Sequence, residues 1–277
     1  MGQTRKQRST DWIVAIPSYK RPETLRDKTL ALLHSYKVPA QKIHVFVADK
    51  EQEKLYKDTL KSGTYGHIHV GVPGMAAIRN YITEFFPKGK MILNMDDDIK
   101  DFIQLRAGFK RGGPLTGFSQ KIASAFALAK KTGFRLFGFY PVVNAFFMKE
   151  GPPTEDLRYI IGSVWGIINP GKILTVTIDD KEDYLRSIMM YLLDGGVIRY
   201  TNIAPVSAYY TEPGGMQETR TMKRIEASAK AMVKAFPDLV TLNLTKKSGI
   251  PEVRLRDKRE TPEFGEAALK KYTMPQV

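Results

Sequence analysis

Three consecutive aspartates, Asp96, Asp97 and Asp98, end a short apolar run, Met91-Ile92-Leu93-Asn94-Met95. The run is too short for a helix, follows Lys88-Gly89-Lys90, and reads as a buried strand. Carboxylates crowded at the end of a buried strand repel one another and lose hydration, so the cluster calls for a compensating cation. Hard oxygen ligands suit Mg²⁺ or Mn²⁺, and Mg²⁺ commonly takes one or two carboxylates together with substrate phosphates. The competing reading is an Asp-rich cap on a helix opening at Ile99. A second acidic cluster, Asp179-Asp180-Lys181-Glu182-Asp183, follows the apolar residues 174–178 and precedes an amphipathic helix. One of its carboxylates, Asp183 or Asp180, is a candidate general base beside an acceptor hydroxyl. Ordinary charge complementation in a first helical turn accounts for the same residues.

The elements that must position these clusters alternate between two kinds. Residues 12–19 form an apolar strand closed by Pro17, and residues 20–25 open a helix with Leu25, Leu32, Leu33 and Tyr36 on one face. A strand over 43–48 ends in Asp49; a polar helix over 51–60, a strand over 68–70 and a helix over 75–86 lead to the aspartate strand. This order predicts an α/β fold with a mixed, mainly parallel sheet flanked by helices. Ligands of such sheets sit beyond the carboxyl ends of the strands. Pro17, Ser18, Tyr19, Asp49 and the three aspartates all fall there, which predicts one site. Arg79, with Asn80 beside it, opens toward that site, where its guanidinium has two candidate partners: a phosphate or the aspartates. Tyr19 suits a nucleobase stack or the core.

Beyond the aspartates the pattern predicts a glycine-rich loop over 108–117, a helix over 119–131 and paired strands over 134–140 and 144–148. A strand over 174–178, a helix over 184–193, a strand over 197–210 broken near Pro205, and a helix over 218–235 follow. That last helix carries Arg220, Lys223 and Arg224, which are assigned with Trp165 to an acceptor or nucleic-acid surface. The organisation read from these shifts is a basic tail (1–10), a catalytic unit (11–217) and a basic helical extension (218–277).

Composition narrows the partners. The 277 residues carry a net charge of +14 and a pI near 9.7, which favours a polyanion such as nucleic acid. There is no cysteine, hence no disulfide scaffold or thiolate zinc site. No stretch of about 20 apolar residues is present, and the basic start lacks the apolar segment of a signal peptide, so a cytoplasmic location without membrane contact is expected. The four histidines, His34, His44, His67 and His69, are scattered and suggest no zinc site. Walker, G-x-S-x-G and G-x-G-x-x-G patterns are absent, which leaves hydrolase, P-loop and dinucleotide readings without support.

The order Ile16-Pro17-Ser18-Tyr19-Lys20-Arg21, Asp49, Gly74 with Arg79-Asn80, Asp96-Asp97-Asp98 and Lys181-Glu182-Asp183 resembles the GT-A glycosyltransferases. Within them it is most similar to the TET/JBP-associated glycosyltransferases, found mainly in phages and associated with sugar transfer to hydroxymethylated pyrimidines in DNA. The resemblance covers about 12–217. It implies a nucleotide-sugar donor, UDP-linked by preference, cradled by Pro17, Ser18, Tyr19, Arg21, Asp49, Arg79, Asn80, Asp96 and Asp97. It implies a Mn²⁺ or Mg²⁺ ion on Asp98 with Asp96, and Asp183 as the base of an inverting transfer in the host cytoplasm. The chain departs from the pattern in having no histidine after His69 as a further metal ligand, a place that Glu212, Gln217 or water would fill. Three other readings stay open: a glycosyltransferase acting on a glycan, lipid or protein; a non-catalytic binding relic; and a nucleotidyltransferase.

Overall fold

The computed structural model describes residues 11–106, 112–207, 221–243 and 251–277. A seven-stranded sheet runs β3 (His67–Val70), β2 (Ile43–Val47), β1 (Trp12–Pro17), β4 (Met91–Met95), β8 (Val164–Ile168), β7 (Leu136–Phe139), β9 (Ile198–Tyr200). β1 pairs in parallel with β2 and β4, β2 with β3, and β7 with β9, while β8 runs antiparallel between β4 and β7. The sheet is therefore mixed and mainly parallel, as its β-branched apolar runs predict.

Side-chain alternation divides the core into two buried layers. Trp12, Val14, Ile16, Val45, Leu93 and Met95 face one layer, with Tyr56 of α3 (Lys50–Thr59) and Ile122 and Phe126 of α5 (Phe118–Thr132). Ile13, Ala15, Phe46, Ile92 and Trp165 face the other, with Ile78 and Ile82 of α4 (Met75–Phe85) and the apolar face of α6 (Glu182–Asp194). The second layer continues through Ala229 and Met232 of α7 (Met222–Ala235), Val240 of β11 (Val240–Asn243) and Val253 of β12 (Glu252–Leu255). Leu269 of α8 (Glu266–Lys270) completes it.

Ile99 opens a strand, β5 (Ile99–Gln104), which pairs with β6 (Gly113–Pro114) and β10 (Ile203–Ser207), so the competing reading of a capped helix there is excluded. Several sequence expectations are corrected. Residues 144–148 form a turn, because the Asn144 side chain accepts from Phe146 N at 3.0 Å and its carbonyl accepts from Phe147 and Met148. Residues 174–178 form no strand: the Asn80 amide holds both the N–H and the C=O of Val176, at 2.9 and 2.8 Å, where a ladder partner would. The strand expected over 197–210 divides at 201–202 into β9 and β10, which belong to different sheets. The helix predicted over 20–36 contains a π-helical stretch, Arg26–Leu30, between α1 (Pro22–Leu25) and α2 (Ala31–Ser35). No helix among the described residues is long and apolar enough to cross a membrane. The basic tail, Arg220, Glu212 and Gln217 lie outside the described residues.

Three of the four histidines read as scattered come together at the β2–β3 edge, while His34 lies in α2. His44 stacks on His67 and His69, with ring centroids 4.6 and 5.2 Å apart, and its Nδ1 lies 2.9 Å from His69 Nε2. Burial first, then the two neighbouring imidazoles and Lys90, push His44 down to about 4, and burial lowers His69 as well. In the unfolded chain these imidazoles take up protons near 6.5, so acidification favours unfolding. Stability in urea is expected to fall between about pH 6.5 and pH 4, with a shallower fall in His44→Phe. Parallel pH profiles for the two proteins would remove the imidazole stack as the cause.

Candidate active site

The turn after β4 splits its three carboxylates by the same alternation that divides the core. Asp96 follows Ile92 and Asn94 to the α4 side, where its Oδ1 accepts from Arg79 Nη2 at 2.7 Å. Asp97 turns to the opposite side and is fully buried: it accepts from Ser18 Oγ at 2.5 Å and Arg21 Nε at 3.0 Å, and also pairs with Arg21 Nη2. Ser18 in turn meets the Tyr56 hydroxyl at 2.6 Å. Burial pushes the Asp97 carboxyl above the usual carboxylate range even with the Arg21 guanidinium against it. Asp98 is 8% exposed and makes no hydrogen bond or ion pair among the described residues. Burial, then Asp96 and Asp97, raise its carboxyl to about 6.

Thr29 holds the turn closed. Its hydroxyl donates to Asp96 O at 2.7 Å and accepts from Ile99 N at 2.9 Å, bracketing the three aspartates. The π-helical stretch carries this buried threonine, and such insertions recur at functional sites. Nothing in the local sequence distinguishes Thr29, since the contact spans 67 residues.

Arg79 joins the two acidic clusters. Besides Asp96, its Nη2 donates to Gly162 O at 3.0 Å, and its Nε lies 3.9 Å from Glu182 Oε1. Gly162 N donates to Asp183 Oδ2 at 3.2 Å, and the Tyr159 hydroxyl donates to the same oxygen at 2.6 Å. Asp183 Oδ1 accepts from Tyr184 N at 3.0 Å. These donors use three of the roughly four acceptor positions of a carboxylate, leaving room for one proton. A Cβ on Gly162 would lie 3.0 Å from Glu182 Oε1 and 3.4 Å from Asp183, so the junction admits little more than glycine. Beneath it, Glu182 pairs with Arg186 Nη1 at 2.5 Å. The Arg186 guanidinium lies 3.8 Å over the Trp165 ring and that of Arg79 lies 5.8 Å away. Burial raises the Glu182 carboxyl and lowers the Arg186 guanidinium.

The expected site residues therefore separate. Asp96, Arg79 and Asp183 are linked through Gly162, with Asp96 29% exposed, while the charges that act on Asp98 are Asp96, Asp97, Arg21 and Lys28. Pro17 and Tyr19 stand at the end of β1, with the Lys20 ammonium 5.0 Å over the Tyr19 ring. Asp49 caps α3 through Gln52 N at 2.8 Å. Ser18 and Asp97 are engaged with each other and with Arg21, and Asn80 with Val176, so their polar atoms serve the scaffold. Trp165 is 2% exposed and supports two arginines, which removes it from any acceptor surface. Asp180 is buried with the Arg224 guanidinium 3.4 Å away, and Arg224 also reaches Asp179 at 3.3 Å. Arg224, itself partly exposed, is thus engaged with this acidic cluster; Lys223 is exposed. Asp179 accepts from Ala76 N at 2.8 Å, tying the second cluster to the start of α4. Sequence reasoning missed Thr29, Tyr159, Gly162 and Arg186.

This fold is shared with the mannosyltransferase PcManGT from Pyrobaculum calidifontis, solved in complex with GDP-Man and Mn²⁺. At 11% identity and a TM-score of 0.50, 82% of this chain matches 64% of that one, so the chain spans less than two thirds of that protein's length. Weaker likenesses are to an active-site mutant of LgtC (13% identity, TM-score 0.38, 67% of this chain and 71% of that one). Mannose-6-phosphate isomerase from Helicobacter pylori gives 15% identity and a TM-score of 0.37 over 68% and 86% of the two chains. No protein-family profile and no curated protein matches the chain. The fold is a mixed, mainly parallel α/β sheet similar to that of PcManGT.

Arg79 faces buried or half-buried carboxylates on both sides. Arg79→Ala is expected to cost about 3–5 kcal/mol in equilibrium unfolding, the penalty of stranding a buried charge. A loss below about 1 kcal/mol, the range of exposed ion pairs, would show that Glu182 and Asp96 do not depend on it.

Proposed function

We propose that the chain is a metal-dependent glycosyltransferase that moves a sugar from a nucleotide-sugar donor to the hydroxymethyl group of a modified pyrimidine in DNA, with inversion. The observation that most supports this reading is the Arg79–Gly162 link: Arg79 donates to Asp96 and to Gly162 O, and Gly162 N donates to Asp183. The Mn²⁺ and GDP-Man of the PcManGT complex are consistent with a divalent cation and a sugar nucleotide here. A UDP-linked donor remains the preferred expectation, with GDP-linked sugars beside it in any panel.

The residues fit a divalent cation. Asp98 is a recessed carboxylate without a cationic partner in contact, and the Asp96 Oδ2 atom makes no hydrogen bond among the described residues. No group of three or more metal-ligating side chains is present among those residues. Two carboxylates completed by substrate phosphates are what Mg²⁺ commonly uses. When bound, the ion supplies charge neutralisation on the departing diphosphate. Pro17, Tyr19 and Arg21 border the donor at the end of β1, where ligands of such sheets bind. Asp183 Oδ takes the proton of the acceptor hydroxyl as that oxygen forms its bond to the anomeric carbon. The bond from that carbon to the diphosphate oxygen breaks, and the nucleoside diphosphate leaves with the electron pair. The DNA part of the reading is supported by the net charge of +14, since phosphate contacts dominate nonspecific DNA affinity.

Nucleoside-diphosphate release from a panel of sugar nucleotides with Mn²⁺ is expected to require hydroxymethylpyrimidine DNA and to weaken steeply with salt. Asp183→Asn is expected to lower the rate about 10²–10⁴-fold, the range for removing a general base. Asp98→Asn is expected to raise the Mn²⁺ concentration needed for half-maximal rate. Undiminished turnover in Asp183→Asn would reassign the base, and turnover indifferent to DNA would move the acceptor to another class.

A further inference from the structure

One feature of the molecule takes no part in the site described above. The turn over 141–148 exposes Val142, Val143, Phe146 and Phe147 side by side, with Phe146 86% exposed. Single exposed apolar residues are ordinary, but four together on one tip mark a contact surface.

The tip is built to be held out. Asn144 accepts from Phe146 N through its side chain and from Phe147 and Met148 N through its carbonyl, each at 3.0 Å. The two phenylalanine rings pack edge to face at 5.0 Å. Met148 is buried beneath them, and both ends of the turn are pinned to the segment after β9. There Tyr140 N donates to Ile203 O at 2.8 Å and Lys149 N to Thr201 O at 3.0 Å.

Its place in the fold is equally definite. β7 runs antiparallel to β8, which runs antiparallel to β4, so the turn leaves the sheet at the edge where Asp96 and Asp98 lie. The chain after the turn pairs Thr154 with Arg199, and then delivers the Tyr159 hydroxyl to Asp183. The tip is therefore an apolar projection at the same end of the sheet as these carboxylates, joined by the chain that follows it to Tyr159 and Asp183. Lys149 is exposed beside it, and the Arg199 guanidinium lies 5.5 Å over the Tyr140 ring at its base.

We propose that this turn is a wedge that enters the base stack of duplex DNA and extrudes the target pyrimidine toward Asp183. The inference rests on the DNA-acceptor reading above. Enzymes that act on a base take it out of the stack, and apolar wedges, phenylalanine among them, separate base steps. The strongly positive chain matches a polyanionic partner, which selects DNA over an uncharged surface.

The test uses the whole protein and a double variant, Phe146→Ser with Phe147→Ser, checked for native circular dichroism. A duplex with 2-aminopurine at the target position reports extrusion without any sugar transfer. The native chain is expected to raise its fluorescence and the variant to leave it unchanged. Transfer to hydroxymethylated duplex is expected to fall at least about tenfold more than transfer to the same strand unpaired, in line with the cost of removing an aromatic base stack. A mismatch at the target is expected to close that gap.

An unchanged 2-aminopurine signal with the native chain would overturn the wedge while leaving sugar transfer standing. Equal losses on duplex and single strand would overturn it too. Binding to phosphatidylglycerol vesicles, or self-association, that depends on the two phenylalanines while extrusion does not would assign the tip to a membrane or a second copy. Absence of any DNA-dependent transfer, with extrusion intact, would count against the acceptor chemistry and not against the wedge.

Discussion

The candidate site depends on two buried guanidiniums set against one indole. Carboxylates from two distant segments, Asp96 after β4 and Glu182 with Asp183 at the start of α6, cannot approach in a poorly hydrated place without positive charge between them. Arg79 supplies it from α4 and Arg186 from α6, and Trp165 gives both planar cations a face to rest on. The arrangement constrains everything around it. A Cβ at Gly162 would crowd Glu182, Thr29 bridges the two ends of the Asp96–Asp98 turn, and Lys181 adopts a left-handed backbone (φ 71°) at the start of the helix.

A second, separate lock stabilises the other side of the same turn. Ser18, Arg21, Asp97 and Tyr56 tie β1 and α3 to the end of β4. With Asp97 committed there, Asp96 and Asp98 are the carboxylates of the triplet that we propose for the ligand. The division of labour within three identical residues follows from strand alternation, so the side chain between the two candidate ligands becomes the anchor.

Much of this was legible in the chain. The apolar runs that become β1, β2 and β4, their helical partners and the acidic residues at strand ends all carry local periodic signals, which is why the α/β class and the place of Asp96–Asp98 at the end of a buried strand could be read in advance. What escaped was long-range. Asp97 meets Ser18 across 79 residues and Asp179 meets Ala76 across 103. Asn80 replaces a strand neighbour for Val176, so residues with every local mark of a strand do not pair. Trp165 looks like a stacking residue in isolation because its burial comes from its place on β8, between β4 and β7, and its partner Arg186 reads as one more charge on an amphipathic helix. The histidines, apart in sequence, stack because β2 and β3 align in parallel register, His44 opposite His67.

We propose that these carboxylates serve sugar transfer to a DNA base. The measurement that tests it most directly is mass spectrometry of the nucleosides recovered from hydroxymethylated duplex DNA after incubation with sugar nucleotides and Mn²⁺. The account predicts a hydroxymethylpyrimidine nucleoside carrying one added sugar, absent when Asp183→Asn replaces the native protein. Unmodified nucleosides from a folded, DNA-bound protein supplied with UDP- and GDP-linked sugars would contradict it.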